Sequence, residues 1–262
     1  MQEMNKEQLK NMFRLDGKVA IVTGGAGSLG EGTAEGLALH GADVVVTGRT
    51  LATLEKSVEK IKAAGGRGLA IVCDVTNEEQ VKSMVEQTVK EFGKIDILVT
   101  VAGIAKRFPA EDFPVEEFQK VMESNVTGTF IPCKIVGQVM KEQGFGKIIT
   151  VSSVRAYAGH PGGYAAYGTS KAAVALLTKQ LATEWAKYNI NVNSVAPTIF
   201  WTPLTKEVLE DEKLKNIFLS RIPMGRAALV QDMVGTVVYL SSAASDFITG
   251  QVIYVDGGCT AG

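Results

Sequence analysis

A chain of 262 residues, 46% apolar and 21% charged, is long enough to bury a sizeable core and suits one large domain or two small ones. A formal net charge of −1 gives no reason to expect a nucleic-acid or membrane-surface partner, which a clustered positive field would meet. Three cysteines, Cys73, Cys133 and Cys259, in no metal-ligand spacing, fit free thiols in a reducing compartment, and no metal site is expected.

Residues 1–14 are polar and charged. They contain nothing like the apolar core of a signal peptide, and no later run approaches the roughly 20 apolar residues of a membrane helix. A short N-terminal arm and a cytoplasmic protein are the expectation. From residue 15 onward, apolar β-branched runs at 18–23, 42–47, 68–72, 95–101, 147–152, 191–196 and 251–255 predict seven strands. Being apolar throughout, they require cover on both faces. Helical spacing at 28–39, 51–63, 78–92, 115–143, 167–188 and 230–241 fills the intervals. Asn77 before Glu78 and Glu79 reads as a helix start, and Gly65-Gly66 and Gly93 as helix stops. Alternating strands and helices with right-handed crossovers predict an α/β fold, a doubly wound Rossmann-type parallel sheet with helices on both faces. No linker divides it, so 15–262 reads as one domain. The least regular stretch, 197–222, holds Pro203 and a helical patch over 204–219. It follows a strand's carboxyl end, where a substrate lid is expected.

The first strand leads into T-G-G-A-G-S-L-G, 23–30, and then a helix. Glycines let a backbone approach a pyrophosphate, and a helix N-terminus offers it free N–H groups. Gly24, Gly27, Ser28, Leu29 and Gly30 are therefore dinucleotide-binding candidates. An acid closing the second strand would accept from a free ribose 2′-hydroxyl. Gly48 stands there, followed by Arg49, and a guanidinium can grip a 2′-phosphate. NADP is the expected cofactor, with NAD the alternative. Farther along, Tyr167 and Lys171 form Y-x-x-x-K on one helix face. A phenol is too weak an acid for work at neutral pH, and a neighbouring ammonium favours the phenolate. Tyr167 could then serve as a general acid or base toward a carbonyl or alcohol.

These motifs resemble those of the short-chain dehydrogenase/reductase family, over nearly the whole chain. The turn fits T-G-x-x-x-G-x-G, with Ser28 in place of the middle glycine. Counting back from Tyr167 to the serine pair at the fifth strand's end selects Ser153, one residue farther than usual. Asn125 matches the family's helix asparagine, so the resemblance implies a tetrad of Asn125, Ser153, Tyr167 and Lys171. It also implies that Asn125 holds a water relaying protons from Lys171. Further implied cofactor contacts are Asp74 and Val75 at the adenine, Ala102 and Gly103 after the fourth strand, and Tyr167 and Lys171 themselves. Pro197, Ile199 and Thr202 fall where the nicotinamide would lie. Thr100 and Val101 depart from the family's N-N-A-G, whose first asparagine braces the sheet. The function implied is hydride transfer between a nicotinamide and a carbonyl/alcohol pair.

Around the expected mouth, Arg155, His160, Tyr164 and Trp201 are substrate-contact candidates. Basic and aromatic groups there, and strings such as F-R-L-D-G-K that resemble gluconate- and sorbose-type reductases, point to a sugar, polyol or sugar acid. Hydrophobic ketones, steroids and 3-oxoacyl thioesters are the alternatives. A non-catalytic cofactor-binding regulator is the reading from another class. By resemblance, long helices would pair the chain into a homodimer or homotetramer.

Overall fold

The computed structural model describes residues 5–202 and 205–261. Asn5 caps a short helix α1 (Lys6–Asn11) by accepting from the N–H groups of Glu7 and Gln8. Residues 1–4 of the expected arm lie outside the described residues. The chain then alternates β1 (Val19–Thr23), α2 (Ser28–Leu39), β2 (Asp43–Gly48), α3 (Leu51–Ala63), β3 (Gly68–Val72), α4 (Glu78–Phe92) and β4 (Ile97–Thr100). The second half runs α5 (Val115–Met122), α6 (Gly128–Gln143), β5 (Gly146–Val151), α7 (Ala165–Trp185), β6 (Ile190–Pro197), α8 (Lys206–Glu210), α9 (Glu212–Leu219), α10 (Val230–Ser241) and β7 (Val252–Val255).

The seven strands form one parallel sheet in the order β3-β2-β1-β4-β5-β6-β7. Side chains of period two send neighbours to opposite faces. Ala20, Val22, Val44, Val46, Ile97, Val99, Ile149 and Val195 pack with α2, α3 and α10. Ile21, Val45, Leu98, Ile148 and Val192 pack with α4, α6 and α7. Burial on both faces is why these strands lack polar alternation. Strand order reverses between β1 and β4, so a crevice opens above their carboxyl ends, where doubly wound sheets hold ligands.

Four helices, α2, α3, α4 and α10, begin and end where the spacing predicts. Asn77 accepts from the Gln80 N–H, and Gly93 leaves α4 in the left-handed conformation. The helix expected over 115–143 is interrupted. A π turn at Glu123–Thr127 separates α5 from α6. Asn125 lies in that turn, and Pro132 lacks the N–H that Gly128's carbonyl would otherwise take. The helix expected from 167 starts two residues earlier, so Tyr167 stands in the first turn of α7. Pro203 and Leu204, which open the expected lid patch, lie outside the described residues. Among the described residues no helix is long and apolar enough to cross a membrane.

Candidate active site

A cleft of about 1910 Å³ runs over the carboxyl ends of the sheet. A pocket for one small ligand occupies roughly 300–1,000 Å³, so this cleft has room for a dinucleotide and a substrate together. Its wall is the turn between β1 and α2. Gly24 adopts φ +66°, and a Cβ there would stand 2.8 Å from the Ala102 nitrogen. A Cβ on Gly30 would lie 2.8 Å from the Gly24 carbonyl carbon and 3.0 Å from the Gly25 Cα. Glycine is thus required at both positions for the turn to close. Gly27 is the N-cap of α2 and supplies no side-chain cap. The first N–H of α2 with a protein acceptor is that of Glu31, on the carbonyl of the N-cap Gly27. The N–H groups of Ser28, Leu29 and Gly30 are left facing the cleft at the positive end of the helix dipole, a cradle that fits a pyrophosphate.

At the far end, Arg49 is exposed, lines the cleft and makes no ion pair among the described residues. Nearby, Asp74 accepts from the N–H and hydroxyl of Thr76, at 2.9 and 2.7 Å. Those bonds, with help from the Arg49 charge, hold its carboxyl below the usual range. Val75 is buried beside it, and a Cβ on Gly128 would meet Val75 at 2.9 Å. At the end of β4, the Ala102 N–H donates to the Thr23 hydroxyl at 3.3 Å. The Thr100 hydroxyl, buried next to it, has no partner. Support expected from an asparagine at 100 therefore comes partly from Thr23.

The four tetrad residues meet at the cleft floor. Asn125 is fully buried. Its Oδ1 accepts from the Ile104 N–H at 2.8 Å, and its Nδ2 donates to the Ile104 carbonyl and the Ser170 hydroxyl, each at 2.9 Å. The amide thus fastens the loop after β4 to α7. Of the serine pair, Ser152 turns into the core and donates to the Lys171 carbonyl at 2.8 Å. Ser153 turns to the cleft, where its hydroxyl reaches the Tyr167 phenol and lies 3.4 Å from the Pro197 carbonyl. Lys171 is 5% exposed, stands 5.7 Å from the Tyr167 ring centre and donates to the Val151 carbonyl at 2.8 Å. Burial pushes its ammonium down to about 8. Burial raises the Tyr167 phenol, and the groups that pull it back are Ser153 and, more weakly, Arg155.

Ile199 and Thr202 line the cleft beside Pro197, as do Arg155 and Tyr164. Tyr164 sits 6.0 Å from Tyr167, centre to centre, with the Arg107 guanidinium over its ring. His160 and Trp201 do not line the cleft. His160 stacks on Phe218 of α9 at 5.4 Å and meets Tyr164 edge-on. Trp201 faces outward, 46% exposed, because Phe200 and Trp201 lie in an extended segment bridged to Ala228 and Phe200 takes the inner side. Phe218 lines the cleft, yet nothing in its helix's apolar spacing distinguishes it from a core residue.

Comparison with known proteins agrees with this geometry. The family described as Enoyl-(Acyl carrier protein) reductase matches residues 24–260. Gluconate 5-dehydrogenase of Gluconobacter oxydans is 38% identical over 250 residues, covering 95% of this chain and 97% of that one. A 2-dehydro-3-deoxy-D-gluconate 5-dehydrogenase of Dickeya dadantii is 41% identical over 249 residues, with 95% and 97% covered. Among solved structures, a gluconate 5-dehydrogenase from Burkholderia cenocepacia in complex with NADP and tartrate superposes with a TM-score of 0.92. It is 35% identical, covering 96% of this chain and 98% of that chain.

Proposed function

The chain belongs to the short-chain dehydrogenase/reductase family and is an NAD(P)-dependent oxidoreductase of alcohol and carbonyl groups; on that premise we propose that it works with NADP on a sugar acid. The observation that carries the reading is the placing of Ser153, Tyr167 and Lys171 together on the lining of the cleft that the glycine turn and Arg49 border. The bound nicotinamide would supply or accept the hydride. Ser28, Leu29 and Gly30 would hold the pyrophosphate, Arg49 the 2′-phosphate, Asp74 and Val75 the adenine side, and Ile199 and Thr202 the carboxamide.

In the reducing direction Tyr167 gives its phenolic proton to the carbonyl oxygen, and in the oxidising direction it takes the alcohol's proton. Ser153 donates to that same oxygen and orients it, which favours the developing charge. Lys171 keeps a positive charge close to the phenolate side of the reaction. Asn125 acts through the loop after β4 and through Ser170, holding the floor on which Lys171 stands. Substrate selection falls to Arg155 and Tyr164. Three relatives act, by name, on gluconate or keto-gluconate compounds, which supports a polyhydroxylated acid. Residues 206–219 are read as the lid, since Phe218 reaches the cleft. Phe130 on α6 and Leu176 on α7 are exposed apolar residues that support pairing of these helices in a homodimer or homotetramer, in the cytoplasm. A monomer at micromolar concentration in sedimentation would overturn that assembly.

The cofactor assignment is tested by fluorescence titration with NADPH and NADH, before and after Arg49→Ala. A lost charge-assisted phosphate contact should weaken NADPH roughly ten- to hundredfold and leave NADH almost unchanged. Tighter NADH binding, indifferent to the substitution, would sink the NADP assignment.

A further inference from the structure

Arg14, Arg67 and Arg226 lie away from the cleft, and each is paired with an aspartate, Asp16, Asp43 and Asp232. The other four arginines, Arg49, Arg107, Arg155 and Arg221, have no ion-pair partner among the described residues. All four border cavities. Three line the large cleft, and Arg155 and Arg221 line a second recess of about 440 Å³. The recess shares Val154 and Arg155 with the cleft, immediately after Ser153. Arg155 therefore stands on the wall between the reacting centre and the recess.

Among the described residues, none of the groups around those guanidiniums forms an ion pair with them. His160 Nδ1 accepts from the Gly162 N–H at 3.0 Å, so the neutral ring carries its proton on Nε2, which is buried without a partner. Burial, then Arg155, Arg221 and Arg107, hold its pKa below the ordinary 6.5, so His160 is uncharged at neutral pH. Asp256, in the loop that carries Gly258 and Thr260, spends its carboxylate on that loop. It accepts from the Gly258 N–H at 3.0 Å, the Thr260 N–H at 2.8 Å and the Thr260 hydroxyl at 2.7 Å. Arg155 itself only reaches the Gly159 carbonyl, at 3.5 Å. Arg221 follows α9 by two residues, and the Phe218–His160 stack fixes where α9 sits. Unpaired guanidiniums at a concave site are matched in shape and charge to a carboxylate.

We propose that Arg155 and Arg221 clamp the carboxylate of the substrate, at the end remote from the reacting carbon, and that Arg221 separates acids from neutral sugars. This rests on the sugar-acid reading. It extends that reading to a residue outside the catalytic floor, presented by the segment between α9 and α10. The carbonyl or alcohol would lie at Tyr167 and Ser153, and the chain of hydroxylated carbons would run past Arg155 into the recess. The recess is large enough for a carboxylate and the carbons next to it, while the rest of the substrate stays in the cleft.

The test is binding of D-gluconate and D-glucitol, which differ only in a carboxylate against a hydroxymethyl group. Both are titrated calorimetrically into NADP-saturated protein carrying Tyr167→Phe, so that no turnover intervenes. D-gluconate is expected to bind at least about tenfold tighter, the effect of one charge-assisted contact. Adding Arg221→Gln should cut the difference by roughly tenfold and leave D-glucitol affinity as it was, whereas Arg221→Lys should cut it less. A preference for D-gluconate that Arg221→Gln leaves undiminished would overturn the clamp and leave the sugar-acid reading standing. No preference for D-gluconate in the parent would overturn both. Unchanged NADP affinity in the Arg221 variants verifies that they are folded.

Discussion

Replacing Lys171 with methionine is expected to abolish turnover and yet stabilise the cofactor-free protein at pH 7. The ammonium is buried, and its one protein partner is the Val151 carbonyl. Burial moves its pKa from 10.5 to about 8. At 1.36 kcal/mol per pH unit, that is a penalty of roughly 3 kcal/mol for keeping the charge inside. The sign follows from proton counting. Between pH 8 and 10.5 the unfolded chain holds a proton that the folded one has lost, so stability rises with pH across that window. Below pH 8 the whole penalty is present. Methionine has nearly the same length and no charge, but it leaves the Val151 carbonyl without a donor, which costs about 1–2 kcal/mol. The net gain at pH 7 is therefore about 1–2 kcal/mol, or a Tm higher by roughly 2–8 °C for a chain of this size. Near pH 10.5 the native lysine is neutral, the penalty is gone, and the variant should be the less stable of the two. Thermal melts of both proteins in a pH series from 7 to 10.5 read this directly. A Tm difference that stays constant across the series, or a variant already less stable at pH 7, would refute the reasoning.

The serine pair separates by readout. Ser153→Ala should lower kcat roughly a hundredfold with Tm unchanged, whereas Ser152→Ala should cost about 1 kcal/mol of stability through the lost bond to the Lys171 carbonyl; the reverse ranking would show that the wrong hydroxyl has been assigned to the reaction. Gly30→Ala forces a Cβ against the Gly24 carbonyl, so NADPH affinity should fall by more than about tenfold and Tm should drop by an amount reflecting roughly 1–3 kcal/mol of overpacking. Fluorescence titration and a melt measure the two effects, and full NADPH affinity would mean that the turn has room to relax. Thr100→Val removes a buried hydroxyl that has no partner; stability by urea unfolding should be unchanged or higher by about 1 kcal/mol, and a loss of that size would reveal a hydrogen bond to Thr100.

How far the site could be read from the chain depended on whether its geometry was local. Tyr167 and Lys171 were legible because four residues on a helix fix their own relative position. The choice of Ser153 over Ser152 rests on counting back from Tyr167; in the structure the two face opposite ways after β5, and the bond from Ser152 to the Lys171 carbonyl of α7 turns Ser152 to the core. The break in the helix over 115–143 was not legible. Val121, Asn125 and Thr129 are all buried at four-residue spacing, as in an unbroken helix, and Asn125's bonding to Ile104 is a contact that no local spacing reveals. Trp201 was misplaced for a related reason. In an extended segment only one of Phe200 and Trp201 can face inward, and the bridge to Ala228 decides which.

A net charge of −1 speaks against a nucleic-acid or membrane-surface partner but says nothing of local fields, because a sum over the sequence cannot tell paired charges from unpaired ones. The fold spends Asp16, Asp43 and Asp232 on arginines at the periphery and leaves the arginines of the cleft and recess without an ion-pair partner among the described residues. An almost neutral chain thereby acquires a locally positive cleft, with one guanidinium at the end where a 2′-phosphate would lie and two at the end where a substrate carboxylate would lie. Since low-dielectric walls focus such a field, the discrimination between acid and neutral substrates should weaken as salt rises. A selectivity for D-gluconate over D-glucitol that held constant from low to high ionic strength would mean that shape, not the unpaired guanidiniums, makes the distinction.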